Sequence, residues 1–377
     1  MKPFYWHRNL LVSFVLLFLF ACSDSKPEFF ESDNPSRLSE WNLFDLNKDS
    51  LKPNPEAFVY KPKNQLFTDY AHKLRTLWIP AGQSAQLQEN EIIYPVGAVL
   101  SKTFYYPNNG QGQMLRSTDL GKSVIGLADN TLIETRLFVK RTNGWEAFPY
   151  VWNEEQNEAF LRVAGSTKNI ELVGALGNTS FTYFIPNENQ CSGCHVTEHP
   201  KGQMHPLGAI ASQLDAKIGE STDKTYTQEL INRNWLDEAP VTQLTKSWTD
   251  TSASTSERAK AYLNMHCGHC HNPNGAADTS ALILDGSHAL PVNMGVCKTP
   301  IAAGGGAGDR LYSIVPSAPN QSIMLYRMLS DKPDEMMPEL GRSLIHEEGI
   351  EIIKKWISEM PGTCPRDDRN PKNWPVD

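Results

Sequence analysis

Two short stretches, Cys191-Ser-Gly-Cys194-His195 and Cys267-Gly-His-Cys270-His271, each place two thiols three residues apart with an imidazole directly after the second. Thiols at that spacing can add across the two vinyl groups of one haem, and the adjacent histidine is then held beneath the iron as its axial ligand. The motifs predict two covalently attached c-type haems. Cys191, Cys194, Cys267 and Cys270 are the attachment points, and His195 and His271 are the iron ligands. Two other chemistries use similar residues. A thioredoxin-like redox pair needs no histidine after its second cysteine and sits in a βαβ setting, which surrounds neither motif. One zinc site made from both cysteine pairs would leave both histidines without a role.

The sixth iron ligand is the next question, because it decides what the iron can do. Six-coordinate iron shuttles electrons, whereas an open position can bind a small molecule. Met337-Pro338 lies 66 residues after His271 and just before a predicted helix, so Met337 is the expected second axial ligand there. Met336 is the alternative, and Met324 and Met328 are expected to face the core. Near the first motif, the run His199-Pro-Lys-Gly-Gln-Met204-His205 offers three candidates, and His72 is a fourth from further upstream. Met204 is the first choice, with an open sixth position as its competitor. His266 and His269, beside the second motif, are expected to be structural.

Of the seven cysteines, three remain. Residues 1–21 carry Lys2, His7 and Arg8, then an apolar run from Leu10 to Ala21, which is a signal-peptide pattern too short to span a bilayer. It ends in Leu19-Phe20-Ala21-Cys22, a lipoprotein-like cleavage site that makes Cys22 the expected lipidation point; an ordinary cleaved signal is the alternative. The chain is thus expected outside the cytoplasm, lipid-anchored to a bacterial membrane and facing the periplasm or cell exterior. In that oxidising setting Cys297 and Cys364 are expected to form a disulfide, against two buried free thiols. The net charge of −8, from 35 basic and 43 acidic residues without long runs of one sign, argues against nucleic acid as a partner. It suits a redox partner protein with a basic docking patch.

The elements that must position these residues follow from periodicity and punctuation. Residues 22–60 read as a tether and amino-terminal arm, and 61–205 as a β-rich domain that includes the first motif. Within it, Leu74–Ile79, Ala98–Tyr106, Glu134–Lys140, Trp145–Trp152 and Tyr183–Ile185 are β-branched or aromatic runs bounded by turn residues. Asn143-Gly144 between two of them signals a hairpin with a type I′ turn. Residues 206–253 read as a linker with a short helix around 227–235. Ser254-x-x-Glu257 is a capping box that starts a helix into the second motif. Ile350, Ile353, Ile357 and Met360 are the stripe of a last helix, stopped by Pro361-Gly362. Residues 365–377 are a tail.

In residues 254–364 this order (helix, Cys-x-x-Cys-His, a helix capped by Asn320 and running through Leu329, Met-Pro, helix) resembles the class I cytochrome c fold. The expected fold class is therefore α+β in two domains: an antiparallel β-rich haem domain followed by an all-α class I cytochrome c domain. The chain as a whole resembles an uncharacterised family of exported dihaem c-type cytochromes. The matching blocks are Leu66-Phe-Thr-Asp-Tyr-Ala71, Tyr94-Pro-Val-Gly-Ala98 with Lys102-Thr-Phe104, Ile133-Glu-Thr-Arg-Leu137, Ile185-Pro-Asn-Glu-Asn-Gln-Cys191, Asn272-Pro-Asn-Gly275 and Met337-Pro-Glu-Leu-Gly341. That family implies haem attachment and electron transfer. Residues 94–195 look more loosely like cytochrome P460, which implies a β haem domain with an open iron site. Some members carry a lysine cross-linked to haem, and Lys102 is the matching position.

The function these residues predict is electron transfer between redox partners outside the cytoplasm. Two alternatives stand beside it: a haem enzyme acting on a small oxidant or nitrogen species at the first haem, and an electron-transfer subunit of a larger redox complex. A dihaem peroxidase fits less well, since the motifs lie only 76 residues apart.

Overall fold

The runs of β-branched and aromatic residues between 58 and 161 form one six-stranded antiparallel sheet. Its order is Ala159–Leu161, Gly144–Trp152, Asn130–Arg141, Val99–Pro107, His72–Trp78 and Phe58–Val59, so strands that follow one another in the chain lie side by side. The computed structural model describes residues 25–365 apart from 90, 175–176, 220–222, 242–245, 288–289 and 302. The expected signal segment 1–21, Cys22 and all but the first residue of the tail 365–377 lie outside the described residues. Among the described residues no helix is long and apolar enough to cross a membrane.

The central strands are buried on both faces: every residue of His72–Trp78 is buried. Each face therefore needs a cover, and segments expected to be loose supply both. Leu38, Trp41, Leu43 and Leu51 of the amino-terminal arm pack on one face with Leu74, Leu137 and Tyr150. Trp41 is 0% exposed and its indole N–H donates to Tyr150 Oη at 2.8 Å. On the other face, Ala209, Leu214, Leu230 and Leu236 pack with Leu77, Leu100 and Phe138. Residues 206–253 are thus no free linker. They contain helices α2 (Ala211–Leu214) and α3 (Tyr226–Asn232), and Tyr94 Oη donates to Ala209 O at 2.8 Å. Their apolar residues are too widely spaced for a periodic signal, and the sheet face selects them.

The predicted hairpin forms, with Arg141 opposite Gly144. The turn is Thr142–Asn143, and neither has positive φ; Gly144 does, at +135°. A side chain at 144 would also strike Gln203. The glycine thus serves the residue after the turn, and the type I′ form is not used. A second hairpin, Ser166–Gly174 with Gly177–Ile185, leads through Pro186 and Asn187 into helix α1 (Glu188–His195).

The expected all-α class I cytochrome c domain over 254–364 is not what forms. The chain is β-rich, with 27% strand against 20% helix. Helices α4 (Thr255–Leu263), α5 (Ile323–Leu329) and α6 (Glu347–Glu359) do occur, and Ser254 caps α4 as its sequence predicts. Between Gly268 and Ile323, however, the backbone runs through turns, short 3-10 segments and single parallel bridges, Val296 to Ile314 and Tyr312 to Ser322. This stretch is rich in Gly, Pro, Asn and Asp, which favour turns over a packed helix.

Nor does the segment stand alone. Asp69, beside the central sheet, accepts the backbone N–H groups of Ser343 and Leu344, both at 2.7 Å, and Ser343 Oγ donates to Thr182 O at 2.7 Å. The fold is one β-rich body to which the carboxyl-terminal helices are fastened. Cys297 and Cys364 are disulfide-bonded, with Cα atoms 5.1 Å apart.

One buried charge cluster joins the sheet to the second hairpin. Glu134 is 0% exposed and takes two hydrogen bonds from Arg136, at 2.8 and 2.6 Å, and one from Tyr183 Oη at 2.8 Å. Neutralising only one partner of a buried pair costs about 3–5 kcal/mol. Glu134→Gln is expected to lower the urea midpoint by a corresponding amount. The paired change Glu134→Leu with Arg136→Met should recover much of that loss, measured by equilibrium unfolding.

Candidate cofactor site

Both motifs are delivered at the ends of short helices. Asn187 and Gln190 form a capping box that starts α1, and His195 is that helix's last residue. The second motif follows α4 through a π-helical turn at Asn264–Gly268, a local widening often found at functional sites. Gly268 and Gly275 let the motif fold tightly: a Cβ at 268 would meet the backbone of Asp285, and one at 275 would meet that of Cys270. Asn272 Nδ2 donates to Gly268 O at 2.9 Å and closes the turn.

The two histidines are held in the same way. His195 Nδ1 donates to His205 O at 2.8 Å, and His205 N–H returns to His195 O at 2.7 Å. His271 Nδ1 donates to Ser280 Oγ at 3.0 Å, and that hydroxyl passes its own hydrogen to Ala277 O at 2.7 Å. In both rings the proton is thereby fixed on Nδ1, and Nε2 makes no hydrogen bond among the described residues. Burial pushes both imidazoles down to about 4, so each is neutral with a free Nε2 lone pair. A ring oriented through Nδ1 and open at Nε2 is the arrangement that metal-ligating histidines adopt.

Both motifs line one cavity of about 800 Å³. This size is in the range of sites for large organic cofactors, roughly 300–1,000 Å³. Its walls come from the sheet (Leu100, Phe138), the 207–209 segment and the carboxyl-terminal helices. The motifs also touch one another. The ligand atoms of Cys194, His269 and Cys270 lie within 4.8 Å of each other, and Cys270 Sγ is 3.7 Å from Gly193 O. Hydrogen bonds from Cys270 and then His269 pull the Cys194 thiol down to about 4, while the Cys270 thiol is pushed up. Burial raises Cys191 and Cys267. The Cys194–His269–Cys270 trio offers two thiols and an imidazole to a metal ion. It is one short of the closed tetrahedral set that zinc prefers, and it leaves His195, His271, Cys191 and Cys267 unused. The full donor set fits haem better: two thiol pairs, two oriented imidazoles and a largely apolar wall.

The sequence-based candidates separate in space. Met337, Met324 and Met328 all line the cavity, whereas Met336 does not. Met204 is absent from the lining; it is buried in the apolar cluster with Phe138 and Ala147. Its backbone pairs with Val196, closing the strap whose next residue, His205, holds His195. His199 donates its backbone N–H to Asn274 O at 2.9 Å, linking the strap to the second motif. His72 is buried away from the cavity, with Nε2 at 3.0 Å from Ser117 O and Nδ1 at 4.0 Å from Asp119. Neither Met204 nor His72 is therefore placed to reach a group in the cavity, because local packing and hydrogen bonds already occupy them.

His266 faces the cavity but is fully satisfied. Its Nε2 accepts Phe67 N–H at 3.0 Å, its Nδ1 donates to Tyr262 O at 2.9 Å, and its ring stacks on Tyr262 at 4.0 Å. His346 was not singled out by the sequence. It stacks on Phe67 at 4.2 Å, with Nδ1 3.0 Å from Tyr262 Oη. The Phe-Thr-Asp-Tyr block was the only local hint, since Phe67 and Asp69 both fasten the carboxyl-terminal segment. Of the charged wall residues, Lys102 was marked by the cytochrome P460 resemblance, whereas Arg75 and Arg136 were not; the three line the cavity from three neighbouring strands.

No family model, no curated protein and no solved structure matches the chain.

Burial pushes His266 down to about 3 and His346 down to about 2. Both are neutral when folded but protonate near 6.5 when unfolded, so below that pH the unfolded chain binds more protons. Their contribution is complete above pH 6.5 and is lost progressively as pH falls below it. Urea midpoints measured between pH 7.5 and 4.5 should fall steeply below 6.5, and His266→Gln should flatten that fall.

Proposed function

We propose that the protein is a dihaem c-type cytochrome that passes electrons between redox partners outside the cytoplasm. The observation that supports this most is the pair of Cys-x-x-Cys-His motifs facing one cavity, each histidine fixed through Nδ1 and free at Nε2. Cys191 and Cys194 would hold one haem and Cys267 and Cys270 the other, with His195 and His271 as proximal ligands. Met337, which lines the same cavity, would complete the second site. Bound there, the haems would supply reversible one-electron exchange at iron.

The chain's own groups do the rest. His205 O and Ser280 Oγ orient the two imidazoles, and the apolar wall of Leu100, Phe138 and Met328 keeps water from them. A thioether ligand favours reduced iron and would raise the potential of the second site above that of a bis-histidine one. The contact between Cys194 and Cys270 would bring the two attachment points together, which suits electron passage between sites within one molecule. Export by residues 1–21, lipid anchoring at Cys22 and docking of a basic partner on a chain of net charge −8 belong to the same proposal. An enzyme acting at the first site is a second reading, favoured by Lys102 and Arg75 in the cavity wall.

The test is covalent haem content after expression with export. Two haems per chain are expected from the pyridine haemochrome spectrum, falling to one in Cys191→Ser/Cys194→Ser and to one in Cys267→Ser/Cys270→Ser. A chain that carries no covalent haem would overturn the reading. A low-spin ferric spectrum whose methionine-to-iron band is lost in Met337→Ala would favour the carrier. A high-spin iron that binds cyanide at once would select the enzyme.

A further inference from the structure

Three cations stand side by side in the cavity wall with one carboxylate between them. Arg75 lies directly opposite Lys102, and Lys102 directly opposite Arg136, on three neighbouring strands of the main sheet. Residues paired in this way project from the same face, and like charges so placed repel. All three line the cavity.

Their partners are unequal. Arg136 is neutralised by Glu134 through two hydrogen bonds. Arg75 is buried and, among the described residues, donates to the neutral side-chain oxygen of Gln65 at 3.0 Å and pairs with no carboxylate, Asp119 acting on it only at longer range. Lys102 makes no hydrogen bond or ion pair among the described residues; its ammonium lies 5.1 Å from the ring of Phe104, and the Glu134 carboxylate acts on it only at longer range. Burial and then the charges of Arg136, Arg75 and Lys73 push the Lys102 ammonium well below its ordinary value. The neighbouring Lys73 is already occupied, donating to Ala71 O at 2.7 Å.

A buried cation without an anion costs several kcal/mol and is ordinarily paired. Arg75 keeps its charge and Lys102 can shed its own only by giving up a proton, so an anion in the cavity they both face would balance the first and restore the second. The row also lies close to the first motif, since Arg136 and Lys102 both act on the Cys191 thiol.

We propose that Arg75, Lys102 and Arg136 form an anion seat that takes one carboxylate or small oxyanion, with Lys102 Nζ and the Arg75 guanidinium as its main contacts. A guanidinium beside an ammonium suits a planar, bidentate acceptor of this kind. The anion has two sources: a carboxylate carried by the haem of the first motif, which rests on the proposed function, or a free anion such as formate or nitrite, which does not.

The experiment uses the full exported chain in a zwitterionic buffer of low ionic strength. One arm titrates sodium formate by calorimetry; the other records the propionate bending modes of the haems by resonance Raman. If the seat takes free anions, wild type binds formate, and Lys102→Gln and Arg75→Gln each weaken that binding at least tenfold. If the haem's own carboxylate fills it, formate does not bind, and both variants shift a propionate mode of one haem. Lys102→Arg keeps the charge and should keep the wild-type result in either arm, which separates loss of the seat from loss of the fold. No formate binding together with unchanged propionate modes in both variants would overturn the proposal. Haem content measured on the same samples shows separately whether the cytochrome reading has failed; in a haem-free chain the formate arm alone decides, and absence of binding there sinks the seat.

Discussion

A sheet whose central strands are buried on both faces must be covered on both, and most of the architecture follows from that. The amino-terminal arm closes one face with Leu38, Trp41, Leu43 and Leu51. The other face is closed only in part, by Ala209, Leu214, Leu230 and Leu236. What remains of it, from Leu100 to Phe138, becomes the wall of the cavity, and the segment bearing the second motif closes over the far side. The first motif reaches this space because the hairpin 166–185 runs straight into α1, and that hairpin is tied to the sheet through Tyr183 and Glu134.

The cavity gathers charges and neutral imidazoles that a solvent-filled groove would not need to control. His195 and His271 have their protons directed away from it, to a backbone carbonyl and a serine hydroxyl. His266 and His346, with Phe67 and Tyr262, form a stacked aromatic seam where the sheet-side segment meets α4 and the start of α6. This seam and the Asp69 clamp on Ser343 and Leu344 hold the two halves of the cavity in register. Desolvation keeps the seam's histidines neutral, so the integrity of the site and the stability of the fold share a dependence on acid.

Much of the local structure was legible from residue order. All five predicted strands form, though those expected at Glu134–Lys140 and Tyr183–Ile185 begin earlier, at Asn130 and Gly177, and the Ser254 cap lies where its helix begins. The pairing of Cys297 with Cys364 is present. The carboxyl-terminal domain was misread because three helices and a Met-Pro step were given more weight than the turn-rich stretch between them. Met204 and His72 were plausible by proximity or type, but the core and the Ser117–Asp119 loop already engage them.

The sequence alone determined the chemistry available: two thiol pairs each followed by an imidazole, because that chemistry needs residues within five positions of one another. It also determined the long strands of the main sheet and the helices around the second motif and near the carboxyl terminus, which obey local periodicity and capping. Only the tertiary structure decided that both motifs share one cavity, that Cys194 meets Cys270, and that Arg75, Lys102 and Arg136 stand in a row facing it. Those relations join residues tens to hundreds of positions apart, as Asp69 is joined to Ser343. They are fixed by strand register and by which apolar faces must be covered, and a linear spacing carries neither.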